Sequence, residues 1–152
     1  MECPHCRTSL LEFALPAPYR DQSLLPAQAS TPTEDDADSP TAAAICPTCL
    51  TLVVEGDMPG AESPPPLEAP RTTTIGEAFP REESAAVPFA LALGCCASLA
   101  MNRDTIATLL ERVERAGTDP LLAIDRLLAD PDVEPAIDLE RRRHQLEQVL
   151  YG

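Results

Sequence analysis

Cys3-Pro4-His5-Cys6 and Cys46-Pro47-Thr48-Cys49 are two C-P-x-C motifs, 39 residues apart, in a chain of 152. A C-x2-C pair closes a tight turn whose amide N–H groups can point at the thiolates, and the proline restricts the entropy of the turn. Two such turns on facing hairpins bring four sulfurs into a tetrahedron, the preferred shell of a structural zinc ion. Cys3, Cys6, Cys46 and Cys49 are therefore the expected metal ligands, and Zn2+ the expected ion. The gap between the pairs is long, but residues 26–40 (PAQASTPTEDDADSP) supply 15 of its residues and hold only proline, small, polar or acidic side chains. Such an acidic insert is expected to be disordered, and lengthening a loop costs only about 0.6 kcal/mol per doubling.

Size points the same way. Without that insert, residues 1–56 amount to roughly 40 residues, near the limit below which a core cannot hold itself. A structural zinc contributes about 10–16 kcal/mol in small modules, so this half is expected to need its metal to fold. Other chemistries fit the cysteine pairs less well. A disulfide oxidoreductase needs its first cysteine at a helix N-terminus after a central strand. Here only Met1 and Glu2 stand ahead of Cys3, and no βαβ pattern follows. Iron also accepts four sulfurs, but Arg7 and Leu50 stand where a glycine usually follows each knuckle. A catalytic zinc needs an open position, which four thiolates do not leave. His5, inside the first knuckle, is expected to point outward or to support a ligand through a hydrogen bond.

The remainder divides by pattern. Leu10 to Leu15 and Thr51 to Val54 read as short strands, the latter rich in β-branched residues, with a further apolar piece at Ala42 to Ile45. Residues 57–80 carry six prolines and read as a semi-extended linker. Helical periodicity follows. The stretch 84–101 is apolar almost all round, as a central helix is, with Pro88 in its first turns. Ile106, Leu109, Leu110 and Val113 set the stripe of a second helix at 103–116, with Asn102 as its N-cap and Gly117 as its stop. Asp119 caps a third helix from Pro120 carrying Leu121, Ile124, Leu127 and Leu128, and a fourth, about 136–150, aligns Leu139, Leu146, Val149 and Leu150. The expected fold is α+β: a small N-terminal β zinc ribbon at 1–56, the linker at 57–80, and an all-α bundle of about four helices at 81–152.

Charge bears on the surroundings. The net charge is −14 and all 11 basic residues are arginine. Acidity of this kind keeps a protein hydrated in concentrated salt, where screening shortens to about 3 Å, and points to a halophile. Ala85 to Met101 is free of charge, but its alanine content, Pro88, Gly94 and Ser98 favour a buried bundle helix over a membrane span. With no basic-then-apolar leader ahead of six cysteines, a reducing, cytoplasmic setting is expected.

Little else suggests chemistry. No phosphate-binding, dinucleotide-binding, nucleophile-elbow or zincin motif is present, and His5 and His144 are the two histidines. No catalytic residue and no organic cofactor are therefore expected. Glu111, Glu114, Asp125 and Glu140 belong to solvated helix faces, and Cys95 and Cys96 diverge by about 100° on a helix and read as small core residues. Arg141-Arg142-Arg143-His144 is the one basic cluster. It suits phosphates or an acidic partner, but pairing of Asp138 with Arg142 and of Arg143 with Glu147 accounts for it as a helix surface. The helices either side of Gly117-Thr118-Asp119 mimic a helix-turn-helix, but Asp125, Arg126 and Asp130 are poor groups for reading a DNA groove.

Taken together, Met1 to Cys6, Cys46 to Leu50, Leu91 to Gly94, Ser98 to Arg103 and Asp138 to Arg143 resemble an uncharacterised family of haloarchaeal proteins. Its members have an N-terminal zinc ribbon, a helical C-terminal half and no assigned activity. The resemblance implies a four-cysteine ribbon at Cys3, Cys6, Cys46 and Cys49 in a halophilic archaeal cytoplasm; it departs at Ala97, where an acidic residue more often stands. The expected role is a non-enzymatic adaptor or regulatory module whose helical half docks a protein partner or a second copy. The alternative is a transcription- or RNA-associated ribbon that binds nucleic acid through its knuckles and Arg141 to Arg143.

Overall fold

Short β-branched and alanine-rich pieces flank the cysteines, and they pair. In the computed structural model, which describes residues 2, 3, 5–19, 42–55, 65–69, 71–96 and 99–151, the strands are β1 (Leu11–Ala14), β2 (Ala42–Ile45) and β3 (Leu52–Glu55). They form an antiparallel sheet in the order β1-β2-β3, with Leu11 opposite Ile45 and Ile45 opposite Leu52. Central strand β2 is buried at every position. The second knuckle makes the β2–β3 hairpin connection, and the first precedes β1, closed by an antiparallel bridge between Glu2 and Ser9. The acidic insert 26–40, residues 57–64 and Pro70 of the expected linker, and Ala97 and Ser98 lie outside the described residues.

Four helices follow: α1 (Glu83–Cys95), α2 (Arg103–Arg115), α3 (Pro120–Ala129) and α4 (Leu139–Tyr151). The architecture is thus α+β, a three-stranded ribbon ahead of a helical bundle. Helix α1 is central as its sequence implies, with every residue from Ala85 to Leu93 buried. It is shorter than expected, ending at Cys95 rather than running to 101, and Pro88 sits in its second turn. A proline there has no N–H to give Ser84, so that carbonyl loses its helical partner. The stripe Ile106, Leu109, Leu110 and Val113 on α2 is buried as its spacing predicts, each side chain worth about 1.5–3 kcal/mol of apolar burial. Gly117, at φ +93°, ends that helix. Its N–H reaches the Glu114 carbonyl at 2.9 Å and the next N–H reaches Val113 at 3.2 Å, the paired bonds of a left-handed helix stop.

Two caps differ in kind. Asp119 Oδ1 accepts from the amides of Leu121 and Leu122 at 3.1 and 3.2 Å, as expected of an N-cap. Asn102 occupies the cap position of α2 but makes no side-chain cap bond; its Nδ2 instead donates to the Cys95 carbonyl at 3.2 Å. That carbonyl lies at the end of α1, so the buried amide joins two helices rather than serving one.

One core runs through both halves. Phe13, Leu15 and Ile45 of the ribbon lie in the same apolar cluster as Phe89, Leu91, Ile106 and Leu127. Gly94 of α1 comes so close to Leu52 of β3 that a Cβ there would fall 2.5 Å from its Cδ2. Residues 65–69 and 71–80, part of the expected linker, add Leu67, Ile75 and Phe79 to that core, with Phe79 edge-on to Phe89 at 5.2 Å between ring centroids. They contain a 3₁₀ turn at Arg71–Thr74. Arg71 ties this segment to the sheet by donating to the carbonyls of Pro65, Pro66 and Glu12. Ala14 of the edge strand β1 donates its N–H to Pro65 O at 3.1 Å, which covers part of an otherwise open edge. The Arg112 guanidinium lies 5.1 Å from the centre of the Tyr19 ring, a further link between ribbon and helix.

Candidate metal centre

The two knuckles are built alike from backbone outward. In the first, Cys3 N donates to Thr8 O at 2.8 Å and Arg7 N returns to Cys3 O at 2.9 Å. In the second, Cys46 N donates to Thr51 O at 2.9 Å and Leu50 N returns to Cys46 O at 3.0 Å. Each turn closes on a residue in the left-handed region, Arg7 at φ 64° and Leu50 at φ 62°. These are the positions at which the sequence lacks glycine. A side chain there costs about 1–2 kcal/mol, which the rest of the turn must offset. Amides point at sulfur as the spacing predicts: His5 N lies 3.4 Å from Cys3 Sγ, and Cys49 N lies 3.4 Å from Cys46 Sγ.

The four sulfurs meet. The Sγ atoms of Cys3, Cys6, Cys46 and Cys49 all lie within 4.8 Å of one another. Cys3 stands 3.5 Å from Cys49, and Cys6 stands 3.4 Å from Cys46 and 3.6 Å from Cys49. Those separations are far beyond the ~2.05 Å of a disulfide. They are close to the ~3.8 Å edge of a tetrahedron with metal–sulfur bonds of about 2.3 Å. Hence the residues present fit a thiophilic metal ion. Cys3, Cys46 and Cys49 are buried together beside Leu10, whereas Cys6 is exposed.

The electrostatics of the bare thiols are divided. The hydroxyl and backbone of Thr8 pull Cys6 down to about 6. Burial works against the thiolate of Cys3, yet the amides of Cys6 and His5 outweigh it and hold its pKa below the ordinary thiol value. Burial pushes Cys46 up and Cys49 up to about 12. Two sulfurs favour the thiolate and two resist it for want of a compensating charge. A divalent cation at their centre would supply that charge.

Two hydroxyls were not among the expected site residues. Thr8 Oγ1 lies 3.3 Å from Cys6 Sγ and Thr51 Oγ1 lies 3.0 Å from Cys49 Sγ. Their signal was in the sequence, since both knuckles read C-P-x-C-x-T. A hydroxyl on a ligating sulfur orients it and spreads its charge. His5 is exposed and stands outside the four-sulfur group. Cys95 and Cys96 are buried in the helical core as small core residues, as expected, and burial pushes both thiols up to about 12.

The second knuckle is joined to the helical half. Glu134 N donates to Thr48 O at 2.7 Å and Ala136 N to Cys49 O at 3.0 Å, from the segment linking α3 and α4. In the basic cluster, Arg143 lies 2.5 Å from Asp125 through Nε and 3.2 Å from Glu147 through an η nitrogen. The pairing expected of Asp138 with Arg142 is replaced: Asp138 Oδ1 accepts from the Arg141 amide as a helix cap, and Arg142 donates to Gln145 Oε1 at 2.9 Å. Capping wins because a short aspartate ahead of a helix reaches backbone amides more readily than a side chain one turn on.

The chain belongs to the family of unknown function DUF6276, whose model matches residues 2–150. No curated protein and no solved structure matches it.

Proposed function

We propose that this member of the family is a non-enzymatic zinc-ribbon protein, a protein-interaction adaptor or regulatory module of a halophilic archaeal cytoplasm. One observation carries the reading: the four sulfurs of Cys3, Cys6, Cys46 and Cys49 within 4.8 Å of one another. Four thiolates complete a tetrahedral shell, which leaves no position for a substrate and makes the ion structural. Zinc is favoured over iron by the side chains of Arg7 and Leu50 where a glycine usually follows each knuckle of an iron site. The acid excess and the replacement of lysine by arginine support the halophilic setting. Among the described residues no helix is long and apolar enough to cross a membrane.

The partner is a protein or a second copy of the chain. Met101, Leu122 and Tyr151 are exposed on the helical half, and apolar groups of that size suit a protein surface better than phosphate. The basic cluster is a weaker candidate for nucleic acid, because Arg143 is engaged by Asp125 and Glu147 and Arg142 by Gln145.

Native mass spectrometry tests the centre: one zinc per chain is expected, and none in Cys46→Ser. Retained stoichiometric zinc in that variant overturns the four-thiolate site. Selective retention of DNA or RNA in molar salt, where counterion release is largely lost, overturns the adaptor reading.

A further inference from the structure

We propose that Cys6 is a site of oxidation by hydroperoxide, and that oxidation there bonds the first knuckle to the second and discharges the metal. This rests on the zinc reading above. The four sulfurs are not equally open. Cys3, Cys46 and Cys49 are 1%, 0% and 4% exposed, whereas Cys6 is exposed, as are its neighbours His5 and Arg7. A peroxide must reach a sulfur along the line of its own O–O bond, and only Cys6 offers that approach among the four.

The second requirement is a resolving thiol within reach. Cys6 Sγ lies 3.4 Å from Cys46 Sγ and 3.6 Å from Cys49 Sγ, so a disulfide to either needs the sulfurs to close by about 1.5 Å. The first knuckle can make that movement. Among the described residues its backbone hydrogen bonds and bridge, Cys3 to Thr8, Arg7 to Cys3 and Glu2 with Ser9, stay within residues 2–9. The second knuckle stays where it is, held by the amides of Glu134 and Ala136.

The chemistry balances with one peroxide. The Cys6 sulfur attacks a peroxide oxygen; an S–O bond forms, the O–O bond breaks, and hydroxide leaves to become water. That sulfur is oxidised by two electrons and the peroxide reduced by two. The Cys46 sulfur then attacks Cys6 Sγ; an S–S bond forms, the S–O bond breaks, and a second hydroxide leaves as water. Two protons are consumed. Two thiolates remain, too few to retain the ion, and a dithiol reductant restores the four.

The test uses the full chain as purified, first weighed in native mass spectrometry for zinc and then given a few equivalents of hydrogen peroxide. Zinc release is followed with a colorimetric chelator, and cysteines are mapped by peptide mass after alkylation. The expected result is one zinc released per chain, a disulfide joining Cys6 to Cys46 or Cys49, and Cys95 and Cys96 still reduced. Reduction with dithiothreitol in the presence of zinc should restore the loaded form. A zinc-loaded chain that keeps its ion, or is oxidised first at Cys3, Cys95 or Cys96, overturns the inference and leaves the zinc reading intact. A chain that carries no zinc before peroxide is added overturns both.

Discussion

The two knuckles share a turn but not a setting. Both read C-P-x-C-x-T, both make the same pair of backbone bonds around their first cysteine, and both end on a residue of positive φ. The second has both cysteines and Leu50 buried, gives two carbonyls to the amides of Glu134 and Ala136, and runs straight into β3, whose Leu52 lies against Gly94. The first has three exposed residues in its turn, and its backbone bonds close on themselves. Local sequence therefore encodes the shape of a knuckle, while its stability comes from what the rest of the chain places around it. The second is positioned by the protein body. The first, on the proposed zinc reading, is left to depend on the ion.

That contrast narrows the expectation that the whole front half needs metal to fold. Phe13, Leu15 and Ile45 share a core with the helices, so the sheet has apolar support that a residue count over 1–56 does not reveal. The largest expected effect follows. Stripping the metal with a strong chelator removes about 10 kcal/mol or more of binding free energy, and the loss falls on residues 2–10. Hydrogen exchange should show amides of the first knuckle losing protection by several orders of magnitude, while α1 to α4 keep theirs and helical circular dichroism persists. Collapse of the helical signal on chelation would show instead that the ion holds both knuckles and the body alike.

Next in size is the contact that carries the second knuckle's hairpin. Replacing Gly94 by Ala places a methyl 2.5 Å from Leu52 Cδ2 and 2.7 Å from its Cβ, and a Cβ cannot rotate away. Alanine gains about 1 kcal/mol in helix propensity, but overpacking costs about 1–3 kcal/mol, so a net loss is expected in urea unfolding. Because β3 moves with the second knuckle, zinc should also dissociate faster. A stabilised G94A would mean that the strand yields without cost.

How much of this was legible in the sequence differs by element. The gathering of four cysteines, the stripe on α2 and the caps at Asp119 and Gly117 follow from spacing and local backbone chemistry, and the structure brings the four sulfurs together and places the stripe and caps as read. Contacts between distant segments were not legible. Nothing local to Arg71 says that its guanidinium will meet three carbonyls, one of them Glu12's, and proline-rich sequence on either side reads as linker. Asn102 is a strong cap former by residue type, yet the carbonyl of Cys95, seven residues back, takes its amide because burial leaves that group no water. Similarly, the pairing of Arg143 with Asp125 joins α4 to α3 and could not be read along one helix.

A smaller effect is expected from the link between the second knuckle and the helices. Ala136→Pro deletes the N–H that reaches Cys49 O at 3.0 Å without touching a ligand. Leaving that carbonyl unpaired costs about 1–3 kcal/mol, less where water replaces the lost donor. If the second knuckle is positioned by the body, this variant should bind zinc more weakly in competition with a chelator, with the loss reversed in the Ala136→Gly control. Unchanged zinc affinity would place the second knuckle on the same footing as the first.

The smallest expected effect tests how far into the body the support of the metal centre reaches. Asp119 accepts two amides at the start of α3, and its removal in Asp119→Ala costs about 1 kcal/mol, within the range for a lost N-cap. The helix it caps runs toward Asp130, whose own Oδ1 takes the Asp132 amide at 2.9 Å, and the following residues Glu134 and Ala136 grip the second knuckle. The chain is therefore continuous from the cap to the metal centre, but with a turn fixed by Asp130 between them. A cap loss confined to the first turn of α3 should lower the urea midpoint and leave zinc occupancy and chelator competition unchanged. Weakened zinc binding in D119A would show that α3 moves as a rigid lever on the knuckle, and would extend the metal's support from the α3–α4 segment to the whole helix.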